Sequence, residues 1–322
     1  DIEKPLPNTI YVMEGALSAG FEYPSVGFKL ITHGIVFAPQ RKKPKRPKNA
    51  QQIYSLEELS IGDYVVHTKF GIGVYKGINK IEKESKIDIY NYYDNLKSIK
   101  SLFSSNDNFT DINLENCITN NVTDMSAAFN ACSNLTNVQF QNTSNVTNFT
   151  SIFANCKKLK NIQNLNTQKA TNLSVAFGSC ELLEKLNIDC SNVLTMYATF
   201  LGCKNLIELN LNNTSNVTNF FMSFAYCKNL KRINGIDFSS ATGDCNFTAC
   251  YNLEKIQLTG KISFNRLVLS DSTKLTHETL LSILYALENT ENPKKLTLGK
   301  INLEKLTDNE KAIATEKNWT LS

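Results

Sequence analysis

The sequence predicts a β-rich solenoid built of short parallel strands and helical turns, and three observations predict it. Phe129, Phe153, Phe177, Phe200, Phe224 and Phe247 recur about every 24 residues. Each is followed three residues on by Cys132, Cys156, Cys180, Cys203, Cys227 or Cys250, and three further by Leu135, Leu159, Leu183, Leu206, Leu230 or Leu253. Nine residues after each Phe stands Val138, Ile162, Leu186, Leu209, Ile233 or Ile256. A unit of this length offers one apolar edge that it cannot bury alone, so the copies must stack and close one another's cores.

Within a unit, the stretch from Leu135 to Phe140 alternates apolar and polar residues as a half-exposed strand does. The stretch before it mixes apolar spacings of three and four, which predicts a short strand leading into a helical turn. Four copies carry Val122, Val146, Val193 or Val217 seven residues before the Phe. The frame extends upstream through Leu96, Ile99, Phe103, Phe109 and Ile112, with Asn106 in the Cys position, and downstream through Leu269, Ser272 and Leu275. About eight coils at roughly 4.8 Å per rung give a sheet on the order of 40 Å long.

Ten residues after the Phe, where a side chain leaves the sheet on its open face, stand Gln139, Gln163, Asn187, Asn210, Asn234 and Gln257, with Asn113 at the same phase upstream. Two readings of this column stand. Stacked amides donate and accept between rungs as a structural ladder, or they form a stripe facing a ligand together with Lys185, Glu208, Arg232 and Lys255 two residues earlier.

These residues resemble the BspA-like leucine-rich repeats of bacterial surface proteins, with Asn121 to Phe140 the nearest copy of that pattern and residues 96–322 the extent of the likeness. The resemblance implies a right-handed solenoid, a role in adhesion or protein binding through the open sheet face, and no chemistry. Lys169 and Ala170 replace the usual Asn-Val, Leu194 replaces Thr, and the sixth copy loosens around Gly243 to Cys245.

At the amino-terminal side, Ile10 to Met13 and Phe28 to Ile31 read as short strands, and Arg41 to Lys48 is a basic, proline-broken run expected to be a solvated linker. Ile53 to Glu58 reads as a helical turn. Gly62 to His67 and Val74 to Ile81 read as strands joined by a corner at Gly71-Ile-Gly73. Gly15 to Glu22, Ile61 to His67 and Gly71 to Ile78 resemble the bacterial transcription-repair coupling factor over residues 10–82. That likeness implies the start of a CarD-like, tudor-type module whose edge strand pairs with the RNA polymerase β subunit. Carried over by position, the contacts are Val74, Lys76, Ile78, Lys80 and Ile81. Phe70 stands where that family has His, the later barrel strands do not appear, and no phosphate-binding Gly-Lys-Ser/Thr loop occurs, so the module is an incomplete one.

Residues 83–95 are polar, tyrosine-rich and match neither pattern. Beyond the repeats, Leu280, Leu281, Ile283, Leu284 and Leu287 mark a helix beginning near Thr276. Lys295 to Leu298 returns to a strand, and Thr307 to Glu310 is a capping box, together reading as a helical cap. The chain thus divides at 1–48, 49–82, 83–275 and 276–322.

The chemistry is sparse. Six cysteines share one phase of the repeat and read as an inward column. Cys117, Cys190 and Cys245 lie off it and are the candidates for fast thiol reaction. His33, His67 and His277 fall in three separate segments and assemble no catalytic or metal cluster, so no enzyme activity, cofactor or metal is expected. Residues 1–82 carry 11 Lys and Arg against 8 Asp and Glu, and residues 83–322 carry 23 against 22. The near-neutral solenoid lacks the footprint of a nucleic-acid binder, leaving only weak contact through 41–48. No apolar run reaches the length of a membrane span and no signal peptide is visible. The amino-terminal likeness points to the cytoplasm and the repeat likeness to the cell surface.

Overall fold

The computed structural model describes residues 97–117 and 119–322 in full, and upstream of them the backbone of β1 (Thr9–Val12), β2 (Phe21–Tyr23), β3 (Phe28–Leu30), β4 (Tyr64–His67), β5 (Gly71–Val74) and β6 (Lys86–Asn91). From β6 onward the chain lays down one short strand per coil. These are β7 (Asp111–Leu114), β8 (Asn137–Phe140), β9 (Asn161–Gln163), β10 (Lys185–Asp189), β11 (Glu208–Asn212) and β12 (Arg232–Phe238). After β13 (Asp244–Asn246), β14 (Lys255–Ile262) continues the row. All pairings along the row are parallel, and the apolar residue nine after each Phe is in register: Ile112 with Val138 and Ile162, then Leu186 with Leu209, Ile233 and Ile256. The molecule is therefore a β-rich solenoid.

Two features of the row lie outside the sequence frame. Ile87 of β6 pairs with Ile112, so the column begins one coil earlier than Leu96, inside the segment that matched neither pattern. β1 adds to β6 in parallel, Ile10 opposite Ile89, as a further strand at that edge. The row is also interrupted, as β9 and β10 belong to different sheets. β9 stops because Asn164 takes a left-handed conformation, φ 58°, with its Nδ2 donating to the Phe140 carbonyl at 2.9 Å.

A second row runs alongside the first. Single parallel bridges join Ser98, Asp124, Asn148, Asn172, Thr195 and Asn219. At the carboxyl-terminal end this row widens into a parallel sheet of β13, β15 (Arg266–Val268), β16 (Lys294–Thr297) and β17 (Trp319–Leu321). The helical turn expected after each bridge does not form. Residues two before and two after the Phe take left-handed φ, as at Ala127 (53°) and Ala131 (59°), Ser151 (54°) and Asn155 (64°), and Val175 (58°) and Ser179 (61°). This alternation turns every second N–H toward the next coil: Ala127, Phe129 and Ala131 donate to the carbonyls of Thr150, Ile152 and Ala154 at 2.8, 2.9 and 2.7 Å. A helix would have satisfied those groups within the coil; here they tie coil to coil.

Between the two rows lies the core. Phe103, Phe129, Phe153, Phe177, Phe200, Phe224 and Phe247 are buried and stack in sequence, with ring centroids 5.2, 5.2, 5.9, 5.6, 6.2 and 5.0 Å apart. Past β14 the strand position is taken by α1 (His277–Ala286), which packs on β14, then by the short α2 (Lys300–Leu303) and by α3 (Asp308–Glu316), which packs on α1 and β17. α1 is capped by Thr276 and α3 by the Thr307–Glu310 box read from the sequence.

β2 and β3 form an antiparallel pair, as do β4 and β5. The second pair corrects the sequence reading. The returning strand is Gly71–Val74, paired from His67–Gly71 to Tyr64–Val74, so Gly71 and Gly73 lie in a strand. The expected linker at 41–48, the helical turn at 53–58, most of the strand placed at 74–81, and His33 lie outside the described residues.

Candidate functional site

The open face of the first row is built by strand alternation. In β11, Leu209 and Leu211 point into the core while Glu208, Asn210 and Asn212 point out, and the same phase in β10, β12 and β14 brings the other outward residues beside them. Asn187, Asn210, Asn234 and Gln257 line one shallow groove of about 680 Å³ with Leu165, Asp189 and Gly235. Glu208, Arg232, Asn234, Lys255 and Gln257 line an adjoining depression of about 540 Å³ that α1 closes with Glu278, Thr279 and Ser282. Of the predicted face residues, Gln139, Gln163 and Lys185 line neither.

The amide column divides along the same boundary. Asn210 donates to Asn187 Oδ1 at 2.6 Å and Asn234 to Asn210 Oδ1 at 2.7 Å, so three central coils carry a true ladder. The side chains of Gln139, Gln163 and Gln257 make no such bond to a described residue, and Asn113 Oδ1 accepts instead from the Glu115 N–H at 2.9 Å. Two residues earlier a second ladder runs on the first coils, Asn137 to Asp111 at 2.5 Å and Asn161 to Asn137 at 2.7 Å. From Lys185 onward this column turns ionic: Lys185 lies 3.9 Å from Glu208, and Lys255 lies 4.0 Å from Glu278. Pairs this long and exposed contribute little to stability. Arg232 stands between Glu208 and Lys255 in register and in no ion pair with a described residue.

The cysteines occupy the opposite environment. All nine are buried, and no two of them form a disulfide. The six column thiols each donate to the carbonyl of the Phe one coil back, at 2.9 to 3.1 Å from Cys132–Phe103 through Cys250–Phe224. A small hydrophobe with a weak donor is what this position requires. Burial pushes the Cys132 thiol up to about 11 and those of Cys203 and Cys250 up to about 12, and raises Cys180, Cys190, Cys227 and Cys245 as well. Burial of Cys117, Cys190 and Cys245 corrects the expectation that these three are the candidates for fast reaction. Cys190 takes the inward phase held by Thr143, Thr167 and Thr214 in other coils.

Among the described residues no group of His, Cys, Asp and Glu is arranged to hold a metal ion. His277 is exposed and lies 3.0 Å from Glu310, joining α1 to α3. Of the candidate polymerase contacts, Val74 ends β5 opposite Tyr64; Lys76, Ile78, Lys80 and Ile81 lie outside the described residues. No helix among the described residues is long and apolar enough to cross a membrane.

Comparison with known proteins accounts for most of the chain in pieces. The chain is 47% identical over 76 residues to the transcription-repair-coupling factor of Bacillus subtilis (strain 168), which covers 23% of this chain, and 41% identical over 75 residues to that of Staphylococcus aureus (strain USA300), which covers 22%. In both cases the match spans only 6% of the relative's length. No solved structure matches. Residues 74–186 match the family described as Mycoplasma protein of unknown function, DUF285, a likeness not read from the sequence above; its span takes in β6 and the Ile87 rung. Residues 197–309 match the BspA type leucine rich repeat region, in six copies, so the coils carrying Asn210, Arg232, Asn234 and Lys255 are repeats of the BspA type.

Proposed function

We propose that the chain is a non-enzymatic protein-binding module of the BspA type, holding its partner on the open face of the first row. The observation that supports this reading most is the outward set of Glu208, Arg232, Asn234 and Lys255 around one depression, within the coils that match the BspA repeats. Charged and amide side chains on a rigid strand row recognise a protein by position, since the strands fix each Cβ and only the side-chain ends adjust. Gln139, Gln163, Asn187, Asn210, Gln257 and Lys185 extend the same face, with the Asn ladder serving as its frame. Right-handed winding, a helical cap at 276–322 and domain divisions at 48, 82 and 275 belong to the same reading.

A photo-cross-linking residue placed at Asn210 tests it. The expected outcome is covalent capture of a protein partner that drops at least about tenfold when Arg232→Glu and Lys255→Glu are combined in the same chain, equivalent to about 1.4 kcal/mol or more. Equal capture from a control position at exposed Lys228, or capture untouched by the two charge reversals, would contradict it.

A second reading rests on the 47% identity over 76 residues to a transcription-repair-coupling factor. Residues 49–82 would then be the start of a tudor-like module that pairs with the RNA polymerase β subunit through Val74, Lys76, Ile78, Lys80 and Ile81. An isolated pair of strands is marginal in water, and among the described residues β4 and β5 pair only with each other. The full chain immobilised against purified β subunit is therefore expected to bind no tighter than micromolar. Tight binding that disappears in Ile81→Arg would put this reading ahead of the first.

A further inference from the structure

One cluster on the second row departs from the repeat for no reason the fold requires. Three residues before the Phe, the early coils carry Ser126, Thr150 and Ser174, and the next two carry Tyr197 and Phe221. Six before the Phe, they carry Thr123, Thr147 and Thr171, and then Leu194. These three replacements are exposed, at 54% for Leu194 and 42% for each of Tyr197 and Phe221. The two rings lie in adjacent coils with centroids 6.0 Å apart and planes 14° from parallel. The backbone N–H at this position goes to the side chain two residues earlier whichever residue stands there, Asn148 for Thr150, Asn172 for Ser174 and Asn219 for Phe221, so the aromatic pair contributes nothing that stacking of the coils needs, and leaving it in water is unfavourable.

Its surroundings define a ligand chemistry. Asn219 Oδ1 accepts from the Phe221 N–H at 2.9 Å, which fixes that amide and leaves its NH2 group with no described partner. Thr195 Oγ1 accepts from the Tyr197 N–H at 3.3 Å. Short residues, Ser174 and Asp244, occupy the same phase in the coils on either side, and both rings stay exposed between them. No Lys or Arg stands at the positions three, five or six before the Phe in these coils, and the one charge there, Asp244, repels anions. Nucleic acid and sulfated polymers are disfavoured for that reason. Three side chains are also too few to hold a second copy, since a stable interface buries about 800 Å² per partner. What remains is an uncharged ring with one face of C–H groups and a periphery of hydroxyls. We propose that Tyr197, Phe221 and Leu194 form a stacking platform for a neutral glycan, with the Asn219 amide and the Asp244 carboxylate engaging its hydroxyls. The platform lies on the second row and is separate from the open sheet face.

The test uses the full chain and four probes: mannohexaose, cellohexaose and chitohexaose as neutral ligands, and a heparin-derived hexasaccharide as the anionic one, each titrated by calorimetry. At least one neutral hexasaccharide is expected to bind saturably. Its affinity should fall by about tenfold or more in Tyr197→Ser combined with Phe221→Ser, which restores the residue type the other coils use and so preserves the fold; Tyr197→Ser alone serves if the pair melts early. Failure of all three neutral probes to bind, binding unchanged in both variants, or preference for the heparin probe overturns the proposal. So does a wild-type dimer, seen by sedimentation, that the same substitutions dissociate.

Discussion

Phe177→Ala is expected to lower stability by about 3–5 kcal/mol. The ring is buried midway along the aromatic column, 5.9 Å from Phe153 and 5.6 Å from Phe200, and each of those rings has a further ring on its other side. A truncated side chain leaves a void between two coils whose spacing is set by parallel strands on one row and by turn hydrogen bonds on the other. Neither row can shorten to fill it. Because each coil is closed by its neighbours, the loss should also break cooperativity, with denaturant unfolding splitting into two transitions on either side of the coil that carries Phe177. A loss below about 1 kcal/mol would mean that the column does not bear on stability.

Gly235→Ala should cost on the order of 3 kcal/mol, from left-handed backbone strain together with a steric clash. Gly235 sits at φ +77°, and a methyl group there would meet the Leu211 carbonyl oxygen at 2.3 Å, a backbone atom that cannot swing aside. The reason lies in the pairing of β12 with β14. Ile233 is opposite Ile256 while Ile236 is opposite Leu258, so one extra residue is bulged out of β12 between them. The substitution must either move β11 or lose the bulge, and losing it would turn Ile236 and Phe238 out of the core. An unfolding free energy within about 0.5 kcal/mol of the parent would show that the bulge relaxes freely.

The columns were legible because one residue type in each coil does one job, and repetition reveals the job. Phe, Cys and Leu at fixed phase could be placed inward from spacing alone, and the amides outward. Several other things could not be read. The Ile87 rung was hidden because β6 lacks the Phe that stands nine residues before the inward residue of each strand from β7 to β12. The role of the cysteines was hidden because the carbonyl each one satisfies is 26 to 29 residues upstream. Most of the left-handed positions were hidden because Ala, Ser, Val, Met, Tyr and Asn hold them, with a glycine only at Gly202, two residues after Phe200; the inter-coil hydrogen bonds outweigh that local strain. On the candidate face, the phase of each residue was legible, and the division between Asn that pair across rungs and Gln that do not is one that spacing does not encode.

Counting reactive thiols tests the stacked-coil account most directly. All nine cysteines are buried, and burial raises the thiols whose ionisation it perturbs, so both access and thiolate formation are suppressed in the folded chain. Native protein treated with a maleimide at neutral pH and read by intact mass should gain no label while it remains folded, and should gain all nine on addition of denaturant. Rapid native labelling of any one of Cys156, Cys180, Cys203 or Cys227 would place that column at the surface and contradict the inward stacking from which the open face was derived.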